Sequence, residues 1–100
     1  MSEIQQEGNA IIVRPGQDIV STMVPGFKQE LADVLAREPR EIRLDMAGVE
    51  MMDSIGIGLL IAIHNSMRKN GGKLVVLNST DNISKLFRSM RLDQHFQMSE

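Results

Sequence analysis

The residue types that invite chemistry meet in one stretch, Met52-Asp53-Ser54-Ile55-Gly56-Ile57-Gly58, followed by an apolar run from Leu59 to Ile63. Asp53 and Ser54 are both strong helix N-cap types, so a helix is expected to start here. A serine hydroxyl at such a start, with small neighbours, is an accessible nucleophile. It is also a place that tolerates a phosphate, because unpaired N–H groups and the helix dipole favour negative charge. The glycines at 56 and 58 fall where the helix begins, and each costs about 1 kcal/mol relative to alanine. Either something approaches that backbone closely or the chain bends there. The plain structural alternative is a capped helix whose glycines pack against a neighbour.

Other chemistries find little support. Serine catalysis needs a positioned histidine and a carboxylate. His64 lies along the same expected helix, roughly 15 Å from Ser54 and too far to activate it. His64 and His95 are far apart in sequence and form no ligand cluster. The glycines match neither a Gly-x-Gly-x-x-Gly fingerprint nor a Walker loop. Asp45 and Asp53 are better explained as a strand end and a helix cap than as ligands of a divalent ion. No cysteine is present, so there is no thiol chemistry and no disulfide framework. The expectation is a chain with no catalytic residues, no metal and no cofactor, hence not an enzyme.

Composition narrows the class further. A formal net charge of −2 gives no broad pull on nucleic acid or an anionic membrane. No apolar span is long enough to cross a membrane, and the N-terminus, Met1-Ser2-Glu3-Ile4-Gln5-Gln6-Glu7, is polar and acidic rather than signal-like. A cytoplasmic protein without membrane insertion is expected. A length of 100 residues suits one domain, 1–100, and 42% hydrophobic residues suffice for a core. With only three aromatics, most of the eight methionines are expected to fill interior gaps.

The elements that must position Asp53 and Ser54 follow from the pattern. Glu3 to Glu7 and Ala10 to Val13 read as a hairpin turning at Gly8-Asn9. Phe27, Leu31, Val34 and Leu35 recur at helical spacing and predict a helix that is firm from Phe27 to Arg37, stopped by Pro39. Asp18, Ser21 and Thr22 are each possible starts for it. Glu41 to Met46 alternates, with Ile42, Leu44 and Met46 on one side and Glu41, Arg43 and Asp45 on the other. That pattern predicts a strand with one buried and one wetter face, and so helices on one face of the sheet only. The central helix should run from Ser54 to about Asn70, with Gly71-Gly72 as its stop. Lys73 to Leu77 reads as a strand parallel to Glu41–Met46. Ser79 or Thr80 caps a last helix carrying Ile83, Leu86, Phe87 and Met90, and His95 to Met98 reads as a short edge strand. The fold class is α/β, a mixed β-sheet with helices packed on one face.

A helical turn of about 100° per residue separates two faces of the central helix. Leu59, Leu60, Ile63 and Met67 form the core stripe. Ile57, Ile61, His64, Asn65 and Arg68 fall on the side that carries Ser54. Asp53, Ser54, Gly56, Ile57, Gly58, Ile61, His64, Asn65 and Arg68 are therefore expected to make a partner-binding patch, with Ile57 and Ile61 as its apolar part. Coverage of those two by a neighbouring helix is the structural alternative.

Several of these residues also resemble a known family. Leu44-Asp45-Met46, Asp53-Ser54-Ile55-Gly56-Ile57-Gly58, Gly71-Gly72-Lys73-Leu74-Val75-Val76-Leu77 and the tail Ile83…Leu86-Phe87…Met90-Arg91-Leu92…Phe96 resemble the STAS domain of bacterial anti-sigma-factor antagonists. The resemblance covers residues 40–98 and is thin before them. It implies a mixed sheet with helices on one side. It implies that Ser54 is phosphorylated by a partner kinase that doubles as the anti-sigma factor or switch protein, and that a serine phosphatase removes the mark. The chain has Ile55 where the family commonly has Ser or Thr. It has Gly16-Gln17-Asp18-Ile19 in place of the family's Gly-Glu-Leu-Asp. Stand-alone STAS proteins that serve as cytoplasmic adaptor subunits of membrane lipid transporters are the alternative within the family. A small-ligand-binding or catalytic α/β domain is the alternative of another class, for which the sequence shows no constellation.

Overall fold

The computed structural model describes residues 2–99. Five strands form one sheet in the order β1-β2-β3-β4-β5. They are β1 Glu3–Glu7, β2 Ala10–Arg14, β3 Glu41–Asp45, β4 Lys73–Leu77 and β5 Gln97–Ser99. The helices are α1 Val24–Leu35, α2 Ser54–Lys69 and α3 Asp81–Ser89, and a short 3-10 turn, Leu92–Gln94, precedes β5. The first two strands are antiparallel and turn at Gly8-Asn9, with Glu7 opposite Ala10. Gly8 adopts φ +60°, which the tight turn requires. Every later pair is parallel and is joined through a helix. Each crossover moves one strand further in the same direction. Right-handed crossovers of that kind place all three helices on one face.

The register shows which face they cover. Ile11, Ile42 and Leu74 align across β2, β3 and β4, as do Val13, Leu44 and Val76, and all six belong to the buried core. Phe27, Leu31 and Val34 of α1, Leu60, Ile63 and Met67 of α2, and Ile83 and Phe87 of α3 fill it from the helical side. The opposite face carries charge. Arg14 pairs with Glu3 and Asp45, Arg43 pairs with Glu7 and Glu41, and Lys73 reaches Glu41 at 3.4 Å. The pairs whose acids are well exposed, Arg14–Glu3 and Arg43–Glu7, contribute little energy individually. Ile12 and Val75, in register with Arg43 on that face, are nevertheless buried. The alternation in Glu41–Met46 is thus a true signature of one packed face and one charged face.

Helix α1 begins at Val24, three residues before its firm apolar repeat, because Pro25 needs no N–H partner in a first turn. Its N-cap is Met23, which makes no side-chain cap. Asp18, Ser21 and Thr22 do not start it. Met46 and Met67 lie in the core and Met23, Met52 and Met98 pack against it, whereas Met51 and Met90 stand exposed.

Candidate functional site

Two aspartates knit the loops that present Ser54. After β2 the chain runs alongside the segment before α2. Ile19 donates its N–H to Met51 O at 3.0 Å, and Asp53 N–H returns to Ile19 O at 3.3 Å. Ile19 and Met52 thereby form a parallel bridge. Asp18 Oδ1 accepts the N–H groups of Glu50 at 2.9 Å and Met51 at 3.0 Å. In return, Asp53 Oδ2 accepts the N–H of Ser21 at 2.7 Å. Of the residues singled out as helix starters for α1, Asp18 through its side chain and Ser21 through its backbone N–H instead clamp the leading loop of α1 to the segment before α2.

Asp53 is also the N-cap of α2, its Oδ1 accepting Gly56 N–H at 2.9 Å. The N–H groups of Gly56 and then Ser21 hold its carboxyl below the usual carboxylate range. Ser54 is therefore not the cap. It is the first helical residue, and it is exposed. Deeper down, Asp45 ends β3. Burial pushes its carboxyl up, but hydrogen bonds from Asn78 and Ala47 N–H, with the Arg14 guanidinium at 2.8 Å, hold it below the usual range. Strand-end and cap roles account for both aspartates.

The two glycines have separate explanations. A Cβ on Gly56 would lie 2.9 Å from Ile19 Cγ2 and 3.0 Å from its carbonyl carbon, with the carbonyl oxygen closer still. Gly56 is buried so that the Ile19 strand segment can lie across the helix. A Cβ on Gly58 would meet nothing within 4 Å. Gly58 is exposed one turn beyond Ser54, so it leaves bare helix backbone beside the serine.

The buried side of α2 is wider than its periodicity implied. Ile57 is 6% exposed and belongs to the core. The expectation that Ile57 forms the apolar part of an exposed patch is therefore corrected, and Gly56 is likewise inside. His64 is 9% exposed, with Phe96 and His95 packed edge-on against its ring. The C-terminal segment covers this side of the helix, a long-range contact that the helix's own spacing does not encode. Ile61 is half-buried against the core, and Asn65 and Arg68 are exposed. The apolar groups that do stand open near the serine are Ile55, 54% exposed, and Met51, 63% exposed. Neither was among the expected patch residues. Ile55 and Gly58 are one turn apart on the same side of the helix.

The histidines, remote in sequence, are neighbours in space. Their ring centroids are 5.9 Å apart. Burial, then the nearby His95 and Arg68, push the His64 imidazole down from its ordinary range. Among the described residues no group of three or more His, Cys, Asp or Glu side chains is placed to hold a metal ion. No helix among them is long and apolar enough to cross a membrane.

This architecture and this sequence have known counterparts. An anti-sigma-B factor antagonist from Staphylococcus aureus is 26% identical over 88 residues, covering 88% of this chain and 82% of that protein. The crystal structure of an anti-sigma factor antagonist from Mycobacterium paratuberculosis matches 98% of this chain and 83% of its own, with TM-score 0.87 and 20% identity. The Bacillus cell fate determinant SpoIIAA in its phosphorylated form matches 100% of this chain and 92% of its own, with TM-score 0.77 and 15% identity. The sequence pattern of the STAS domain extends over residues 1–100. With its mixed sheet, single helical layer and Asp-Ser-x-Gly-x-Gly helix start, the chain belongs to the STAS domain family.

Proposed function

We propose that the chain is a partner-switching regulator of the anti-sigma-factor antagonist type, controlled by phosphorylation of Ser54. In the unmodified state it binds an anti-sigma factor, or a comparable switch protein, that also serves as its serine kinase. A serine phosphatase reverses the mark. The chain acts as a binding protein in the cytoplasm, without a cofactor and without catalysis of its own. The observation that carries this reading is the division of labour at the start of α2. Asp53 takes the capping role, so the Ser54 hydroxyl stands exposed and is not needed by the fold. Bare backbone at Gly58 and the exposed side chains of Ile55 and Met51 offer a partner a close approach around it. Ile61, Asn65 and Arg68 extend that surface along the helix, whereas Ile57 and Gly56 support it from beneath.

Two hydroxyls of α3 and its cap are engaged within the fold. Thr80 Oγ1 accepts Ile83 N–H at 3.2 Å, and Ser89 Oγ donates to Leu86 O at 2.8 Å. Mass spectrometry after incubation with the cognate kinase and ATP tests the assignment. Phosphate on Ser54, abolished in Ser54→Ala, is the expected result. Phosphate on Ser66, Thr80 or Ser89 with Ser54 unmodified overturns it.

A further inference from the structure

His64 sits where a residue with two polar ring atoms is hardest to explain. Both ring nitrogens are buried and neither has a hydrogen-bond partner among the described residues. A neutral imidazole presents one donor and one acceptor, and leaving them unmade in the interior is costly. Native proteins seldom keep such a group without a water, an ion or a ligand to meet it. The ring also separates two recesses. One, of about 180 Å³, is walled by Ile61, Leu92 and Phe96 together with His64 and His95. The other, of about 340 Å³, shares both histidines and adds Arg68, Lys73, Gln94 and Gln97.

The charges there all have one sign. Arg68 pairs with no carboxylate among the described residues, and Lys73 is held by Glu41 on the far side of its strand. Among the described residues no acidic side chain lines either recess. That composition argues against a cation. Zinc takes three or four protein ligands. Here only two imidazoles converge, and Arg68 beside them repels a metal. An anion meets the opposite field. The apolar recess matches a single ring in size, since an apolar cavity of about 150 Å³ admits benzene.

We propose that His64, His95 and Arg68 form a binding site for a small carboxylate with an apolar body. The head lies against the imidazoles and the guanidinium, and the body fills the recess between Ile61, Leu92 and Phe96. Burial disfavours the charged form of the His64 ring, and a bound carboxylate accepts the ring N–H that has no partner in the free chain. The site centres on the C-terminal half of α2, away from Ser54, and shares Ile61 and Arg68 with the proposed partner surface.

The test is an NMR titration of the isotope-labelled chain at neutral pH with benzoate as the probe. Expected are saturable shifts of the His64 and His95 ring signals and of the Ile61 methyls, with a Kd of about 1 mM or tighter. Benzamide, which lacks the charge, and inorganic phosphate, which lacks the apolar body, should each bind at least tenfold more weakly. His64→Phe keeps the packing volume and should lower benzoate affinity at least tenfold. Arg68→Gln, a change at an exposed residue, should lower it severalfold even if the first variant fails to fold. Linear, unsaturated shifts with benzoate would overturn the proposal. So would equal binding of benzoate by Arg68→Gln and wild type, phosphate binding as tight as benzoate, or saturable zinc binding in the absence of any benzoate binding.

Discussion

At the scale of single residues, the two glycines of the helix start give opposed expectations. Gly56→Ala drives a methyl group into the Ile19 backbone. Overpacking of this kind costs about 1–3 kcal/mol, because a strand segment rather than a flexible side-chain tip must move. Gly58→Ala meets open space and replaces a poor helix former with the best one. It should stabilise the fold by about 1 kcal/mol while weakening partner binding, since the bare backbone beside Ser54 is lost. Urea unfolding of both variants checks the first half of each expectation, and a binding assay checks the second. From sequence these glycines look alike. Only the neighbour that arrives from the loop after β2 tells them apart. Ile57 shows the same limit. Its angular position on α2 places it beside Ser54, yet it lies in the core. Ile57→Asp should therefore destabilise by several kcal/mol, as a buried unpaired charge does. Ile61→Asp should cost clearly less, because Ile61 is half-buried. Thermal melts that rank the pair the other way would contradict the placement.

At the scale of elements, the signals that were legible are local ones. The hairpin, the alternation in β3, the span of α2 and the Thr80 cap of α3 follow from turn residues, period and capping chemistry. Thr80→Ala should cost about 1 kcal/mol by chemical denaturation, since its hydroxyl satisfies Ile83 N–H at the first turn. What was not legible is non-local. Asp18 and Ser21 look like helix starters because short polar side chains bond nearby backbone in several ways. Here Asp18 bonds the loop before α2, and the Ser21 N–H meets Asp53. The pairing of His64 with His95 depends on how the 3-10 turn and β5 return over α2, and no spacing encodes that return. Asp45 joins three elements, through Arg14 of β2, the turn at Ala47 and Asn78 after β4. Its folded carboxyl is held below the ordinary Asp value of about 3.9. Its contribution to stability is thus fully present above that value and is lost as the pH falls through the lowered one. Asp45→Asn should be less stable than wild type at neutral pH, and the gap should shrink in acid. A gap that widens below pH 4 would contradict this linkage.

At the scale of the whole molecule, the fold sets Ser54 at the exposed N-terminal end of α2, so the proposed switch would add its charge at one edge of the helical layer. A phosphate carries about −1.5 to −2 charges at neutral pH. On Ser54 it gains from the positive helix end, but Asp53 already accepts the Gly56 N–H and repels it. These effects oppose each other, and the modified domain should stay within about 1 kcal/mol of the unmodified one. A partner seated on Gly58, Ile55 and Met51 meets a different situation. It must bury a bulky dianion beside apolar groups, and an unpaired buried charge costs several kcal/mol. Since each 1.4 kcal/mol is a factor of ten in affinity, the complex should weaken by about a hundredfold or more. Calorimetric titration of the partner with unmodified and Ser54-phosphorylated domain, alongside thermal melts of both, is the most direct test of the switch. The predicted result is at least that loss of affinity with nearly unchanged melting temperatures. Equal affinities would contradict the switch and leave a passive adaptor of the same fold. Tighter binding of the phosphorylated domain would contradict it as well, and would place a phosphate-reading pocket on the partner.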